Sequence, residues 1–532
     1  MRWLWALIAL AAAVALAVVV VLNLPPGVDY GAVYRIDRDV RLADVLDRLQ
    51  AQGRSGAIVF ANVNVIDPIA AQVVPAQAVI VRDGRIDWVG SSAGMPAAPG
   101  AFTIDGKGKY LSPGLTDMHV HTQGIGEHIL RLAAGVTSVR EMDGFPWLLR
   151  LQESIVQKRT IGATMYVAGT IIADQPFYGY AVVAKTPDEA RQVVRNQKAC
   201  GYSFIKVHNS LALPLFDAVA DEARRLGLDL VGHVPHDISV AHAVQAAHMR
   251  TLEHLKGFIF DRTLLPNPED FARALAGAEV WLTPTFYTRR SSAYGDEARQ
   301  LLADPRMRLA TRADRAAWAS AVPAVGSHDA LLGDTLKSTH AKVMARLLLL
   351  HPHWLAGTDA AGYAFNIAGF ALIDELQLMH AAGIPLPEVI RAATTEAAAA
   401  MRQADFGRIA PGMRADLVLL DGNPLEDLRA YQRNAGVMAR GVWLERATLD
   451  AALDALAAIY AEPVLTSASG DMVAKFVGGA EVAARRGHVF ESAALIAAAG
   501  ALKRAGQGAA AVRLNKLAEV ATSGPCTAVW PN

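Results

Sequence analysis

From residue 115 to residue 359 one pattern repeats: a short run of apolar, often β-branched residues, then a stretch long enough for a helix. The runs fall at 115–121, 136–141, 163–169, 203–208, 228–234, 251–255, 279–286 and 354–359, with helical periodicity at 187–200, 212–227 and 239–248. Strands alternating with helices at this spacing predict an α/β fold, a (β/α)8 TIM-like barrel over residues 113–406. On either side the pattern changes. Residues 57–112 and 407–447 carry β-branched runs broken by Asp-Gly and Gly-Lys-Gly turns, which predict a small composite β-sandwich domain built from both flanks of the barrel.

The two ends differ again. Residues 3–24 are apolar except Asn23, follow Arg2 and precede Pro25-Pro26, a pattern that predicts an uncleaved N-terminal membrane helix in 1–24, with a cleaved signal peptide as the alternative. Either reading places the remainder outside the cytoplasm, in the periplasm. Residues 25–56 read as a linker in which Leu42, Val45, Leu46 and Leu49 hint at a short amphipathic helix. Residues 448–532 are alanine-rich and predict a helical C-terminal extension.

Composition adds little to this picture. A hydrophobic fraction of 52% supports a large folded core, and 51 basic against 51 acidic residues give no electrostatic reason to expect nucleic acid as a partner. Cys200 and Cys526 are too few for a dense disulfide framework and too far apart for a short zinc motif, so both are expected to be unpaired or structurally incidental.

Candidate chemistry sharpens it more. His119 and His121 alternate on one strand and so share a face, making a metal-binding pair. Lys206 sits in the apolar run Phe204-Ile205-Lys206-Val207, where a charged amine carries a desolvation cost unless it is paired or modified. His233, His254 and Asp359 each end or adjoin a strand. On a barrel all six groups can converge at the C-terminal rim, where histidines and carboxylates suit an ion such as zinc with an open coordination position.

Together, 114-GLTDMHVH-121, 204-FIK-206, 232-GH-233, 253-EH-254 and 357-GTD-359 resemble the metal-dependent amidohydrolase superfamily, its imidazolonepropionase-like and prolidase-like members in particular. The resemblance runs from about residue 57 to residue 445. It implies two divalent ions, expected to be zinc: one on His119, His121 and Asp359, a second on His233 and His254, with Lys206 carbamylated as the bridging ligand. It also implies attack of a bridging hydroxide on an amide-type C–N bond, as in a dipeptide, an N-acyl amino acid or a cyclic amide, with Asp359 shuttling the proton. Esters, lactones or phosphotriesters are the alternative substrates, and a non-catalytic binding protein on the same scaffold is a remote third reading.

Further candidates have two readings each. His208 shares a face with Lys206 and either lines the pocket or makes a structural hydrogen bond. Tyr287 either contacts the substrate carbonyl or packs at a strand end. Arg140, Glu141 and Asp143 either line the rim or form salt bridges, and His236 with Asp237 either contacts substrate at the rim or stabilises a turn. In the loop after Asp359, Tyr363, Phe365 and Asn366 suggest an apolar surround, hence a small-molecule substrate with apolar substituents. The remaining partner expectations are the membrane, through the N-terminal segment, and a homo-oligomer.

Overall fold

The computed structural model describes residues 31–176, 181–255, 274–288, 295–321, 342–360, 364–464, 470–522 and 526. Its strands run β1 (Ile58–Asp67), β2 (Gln72–Arg82), β3 (Arg85–Ser91), β4 (Phe102–Asp105), β5 (Tyr110–Pro113), β6 (Leu115–Val120), β7 (Val136–Glu141), β8 (Thr164–Val167), β9 (Ile172–Ala173), β10 (Val182–Val183), β11 (Phe204–Val207), β12 (Asp229–Gly232), β13 (Thr251–Glu253), β14 (Trp281–Thr283), β15 (His353–Trp354), β16 (Leu417–Leu420), β17 (Asn434–Ala439) and β18 (Val442–Glu445).

Parallel pairing links β6–β7–β8 and, separately, β11–β12–β13–β14–β15. Two parallel bridges join these ladders, Ala168 to Phe204 and Val120 to Ala360. The result is a TIM-barrel-like core. Every residue of β6, β7, β8 and β11 is buried, as expected when a parallel sheet is covered on both faces. Backbone spacing is tight at the barrel top. A Cβ on Gly357 would lie 2.8 Å from His119 Cβ, and one on Gly232, at φ 127°, would lie 2.2 Å from the Val207 carbonyl oxygen. Only glycine lets these strands approach the metal-site histidines so closely.

The two flanks meet in one eight-stranded sheet, ordered β18-β17-β16-β5-β1-β2-β3 with β4 on β1. Its seam is the antiparallel pair β5–β16, registered from Tyr110 with Leu420 to Pro113 with Leu417. Phe60 and Trp443, one from each flank, close its core edge to face, with ring centroids 5.2 Å apart. Because β5 runs through Gly114 into β6, this seam fixes the start of the strand that carries His119.

The N-terminal expectation needs correction. Residues 1–24 lie outside the described residues, and no described helix is long and apolar enough to cross a membrane. The first described helix, Gly31–Gln52, is too rich in Arg and Asp for that, and its apolar stripe of Ile36, Leu42, Val45, Leu46 and Leu49 is buried. That stripe packs on the C-terminal helices Arg446–Ala461, Gly470–Arg485 and Ser492–Arg504. Membrane attachment, and the periplasmic placement that rested on it, are therefore not retained. The segment read as a linker is mostly helix, integrated into the folded body.

The cysteines need a second correction. Cys200 and Cys526 form a disulfide, with Cα atoms 5.0 Å apart, tying the end of helix Pro187–Cys200 to the C-terminal extension. A separation of 326 residues hides such a pair from sequence spacing; the fold alone brings the two together.

Candidate active site and metal centre

At the C-terminal ends of the barrel strands, His119, His121 and Asp359 bring ligand atoms to within 4.8 Å of one another. Asp359 Oδ1 lies 2.9 Å from His121 Nε2 and 3.4 Å from His119 Nε2, while Oδ2 lies 3.6 Å from His254 Nε2. Strand alternation puts His119 and His121 on the same face. Asp359 and His254 reach it differently, both through left-handed backbone at φ 59°. Such conformations are uncommon outside glycine and concentrate at functional sites, where surrounding structure holds them.

The imidazoles are held from behind. His119 Nδ1 is 2.9 Å from Glu253 Oε2, His254 Nδ1 is 2.6 Å from Thr285 Oγ1, and His233 Nδ1 is 2.7 Å from Asn209 Oδ1. An Nδ1–H donated to oxygen leaves Nε2 as the lone-pair nitrogen, the arrangement typical of metal-ligating histidine. His119 Nε2 is buried and makes no hydrogen bond. A buried, unpartnered nitrogen beside a carboxylate and a second imidazole fits a divalent cation.

Electrostatics agree with this donor set. Burial, followed by the Lys206 charge, lowers His119 to about 4, and burial lowers His254 to about 3, so both rings are neutral at pH 7. Burial alone would raise Asp359, but the imidazoles of His119, His254 and His121 outweigh it and hold the carboxyl well below the usual carboxylate range. Lys206 is 1% exposed on β11, and burial lowers it to about 8 despite the attraction of Glu253 and Asp359.

The remaining candidates fall into separate places. His233 lies between the rings of His208, at 4.0 Å between centroids, and His254, at 4.7 Å. His208 thus borders the His233 side of the site. The Tyr287 hydroxyl donates to the Phe365 carbonyl at 2.8 Å, tying β14's trailing loop to the segment after Asp359. Glu141 accepts from the Thr122 amide at 2.7 Å and lies 3.9 Å from His121 Nδ1. Asp143 is pushed up to about 7, mainly by burial. His236 and Asp237 are exposed on a turn.

The residues expected to give an apolar surround after Asp359 fall out differently. Tyr363 lies outside them, Phe365 packs on Trp318 at 5.6 Å between centroids, and Asn366 donates to the Thr358 carbonyl at 3.1 Å.

Two buried acids escaped the sequence reading as site residues. Glu253, 0% exposed, accepts from Arg140 Nη2 at 2.7 Å and Thr251 Oγ1 at 2.5 Å as well as facing His119, and these partners hold its carboxyl far below the ordinary range against the opposing effect of burial. Asp117 accepts from the Thr358 amide at 3.0 Å and its hydroxyl at 2.7 Å, binding β6 to the strand end that presents Asp359. The available signal was charge itself: Asp117 and Glu253 each lie within a buried apolar run beside a ligand histidine. Glu253→Gln keeps the shape but weakens the support of His119, and outer-shell changes of this kind typically cost about 10–100-fold in metal affinity. Competition with a chelator, monitored by metal retention, should report a loss in that range.

A parallel barrel with a buried His/His/Asp cluster at its strand ends is the framework of a metal-dependent enzyme. The chain belongs to the amidohydrolase family, whose model matches residues 110–444. The imidazolonepropionase of Streptomyces griseus subsp. griseus is 28% identical over 371 residues, covering 65% of this chain and 85% of that protein. Among solved structures, a bottromycin amidohydrolase superposes with a TM-score of 0.66 at 26% identity, covering 81% of this chain and 97% of its own. A putative prolidase from Bifidobacterium longum shares the fold at a TM-score of 0.60 and 22% identity, covering 76% and 99%. Matches to the first curated relatives, two imidazolonepropionases and an adenine deaminase, are local and span only 12% to 19% of those proteins. The chain is thus a member of the amidohydrolase family that carries a buried His/His/Asp cluster at its strand ends.

Proposed function

We propose that this enzyme hydrolyses an amide-type C–N bond in a small molecule such as a dipeptide, an N-acyl amino acid or a cyclic amide, using two divalent ions. The observation that carries the reading is the buried Asp359 carboxylate between His119, His121 and His254, three Nε2 donors free of backbone duty. His119, His121 and Asp359 would hold one ion, and His233 and His254 the other. Bound there, divalent ions polarise a carbonyl and acidify water. Asp359 takes a proton from the attacking water and returns it to the departing nitrogen. Water thus supplies hydroxyl to the acyl carbon and hydrogen to the amine, giving a carboxylic acid and an amine.

Lys206 completes the ligand set as a carbamate. With its amine lowered to about 8, a fraction is neutral at pH 7 and able to attack carbon dioxide, forming an N–C bond and releasing a proton. The product is an anionic oxygen ligand where a cation would be costly to bury. Lys206→Met should reduce bound metal from two ions per chain toward one and remove the carbamate resonance seen with isotopically labelled bicarbonate. Unchanged stoichiometry would reject the bridging role.

The function itself is tested by turnover of metal-loaded protein on dipeptides, N-acyl amino acids, cyclic amides, esters and lactones, with Asp359→Asn as control. Amide turnover that requires Asp359 supports the proposal. Turnover confined to esters or lactones, or none with metal bound, rejects it.

A further inference from the structure

Against the loop that follows His121 lies a cavity of about 490 Å³ whose wall combines barrel loops with segments outside the matched family region. Gln123 and Gly124, just beyond His121, form one side, and Asn366, bonded to the carbonyl before Asp359, forms another. Arg38 from helix Gly31–Gln52 and Tyr460 from helix Arg446–Ala461 complete it. Arg35 Nη2 donates to the Gln123 carbonyl at 2.8 Å, fastening the N-terminal helix to the loop that follows the ligand histidine.

The charges in this wall are unevenly committed. Glu127 accepts from Arg131 at 2.6 Å and from the Gln123 amide at 2.8 Å, Glu462 takes both nitrogens of Arg41 at 2.8 and 2.9 Å, and Asp314 accepts from Thr311 Oγ1 at 2.6 Å. Arg38 has no hydrogen bond among the described residues. Its closest carboxylate, the buried Asp39, stays at 3.6 Å, and its guanidinium lies 5.5 Å from the centre of the Tyr460 ring. Asn366 is 5% exposed, and with Nδ2 spent on Thr358 its Oδ1 is left buried without a partner. The wall therefore offers a guanidinium held only through Nε by Asp39 and by the Tyr460 ring, and an orphaned acceptor.

We propose that this cavity binds the carboxylate end of the substrate, with Arg38 receiving the carboxylate and Asn366 Oδ1 accepting an adjacent N–H. Among the amides considered above, this selects N-acyl amino acids and peptides with a free carboxylate over neutral cyclic amides. The inference rests on the amide-hydrolase reading for the word substrate, though the binding site is defined independently of turnover. The barrel supplies the chemistry, and helices outside the family core supply the recognition.

The test measures binding of N-acetyl-leucine and of its neutral carboxamide to metal-loaded Asp359→Asn full-length protein, then to the same protein carrying Arg38→Gln or the pair Arg38→Gln with Asp39→Asn. The paired change avoids leaving Asp39 buried beside a lost cation. A charge-assisted hydrogen bond to a carboxylate justifies about a tenfold preference for the acid, abolished in both Arg38 variants. Equal binding of acid and carboxamide before Arg38 is changed, a preference that survives in both variants, or no binding of either ligand would overturn the proposal. Absence of amide turnover by the unaltered enzyme would instead defeat the hydrolase reading, and the binding comparison would still decide the cavity.

Discussion

Asp359→Asn should reduce kcat by roughly 10²–10⁴-fold on every substrate the enzyme turns over, the range typical of losing a positioned general acid–base group. The carboxylate is poised for that work by its surroundings. Its two oxygens lie 2.9 to 3.6 Å from the Nε2 atoms of His121, His119 and His254, and its carboxyl lies well below the usual carboxylate range despite burial. An amide at this position keeps the size and the left-handed backbone, which asparagine tolerates well, but it loses the charge and cannot take a proton from water. Metal analysis distinguishes the two jobs assigned to Asp359. If the variant binds as much metal as the unaltered protein and loses turnover, the proton role stands; if it binds less, ligation contributes to the defect. Retained turnover on any amide would remove Asp359 from the mechanism.

Much of this site was visible in sequence because its parts sit on strand ends. The β-branched runs around His119, Lys206, His233, His254 and Asp359 each mark a buried strand, and the polar residue closing each run is conspicuous against it. What sequence could not convey was how the residues meet. Alternation predicts opposite faces for Glu253 and His254, yet a left-handed φ of 59° at His254 brings both to His119. Tyr287 was read as a candidate for contacting substrate or for packing, and its hydroxyl is engaged by the Phe365 carbonyl, a loop contact set by tertiary structure. The disulfide and the docking of helix Gly31–Gln52 were missed for the same reason: their partners lie hundreds of residues away, in the C-terminal extension. Leu42, Val45, Leu46 and Leu49 showed the helix's apolar stripe but not what covers it.

Arg140→Met should destabilise the fold by about 3–5 kcal/mol, the usual consequence of removing one partner from a buried ion pair. Arg140 and Glu253 are 1% and 0% exposed, and the guanidinium reaches from β7 to two other strands: Nε donates to the Met118 carbonyl on β6 at 2.7 Å, and on β13 Nη1 donates to Thr251 Oγ1 at 2.9 Å and Nη2 to Glu253 Oε1 at 2.7 Å. Methionine fills much of the volume but satisfies none of these acceptors, leaving Glu253 ionised in the barrel interior with Thr251 and His119 as its remaining partners. Denaturant unfolding of the metal-free protein isolates this effect from any change in metal affinity. The companion variant Glu253→Gln lacks the stranded charge, so the double change Arg140→Met with Glu253→Gln should recover part of the loss. If the double variant is no more stable than Arg140→Met alone, the cost lies in the Met118 and Thr251 contacts and not in the buried charge. A loss below about 1 kcal/mol in the single variant, the scale of an exposed pair, would show that the Arg140–Glu253 pair is solvated in the folded protein.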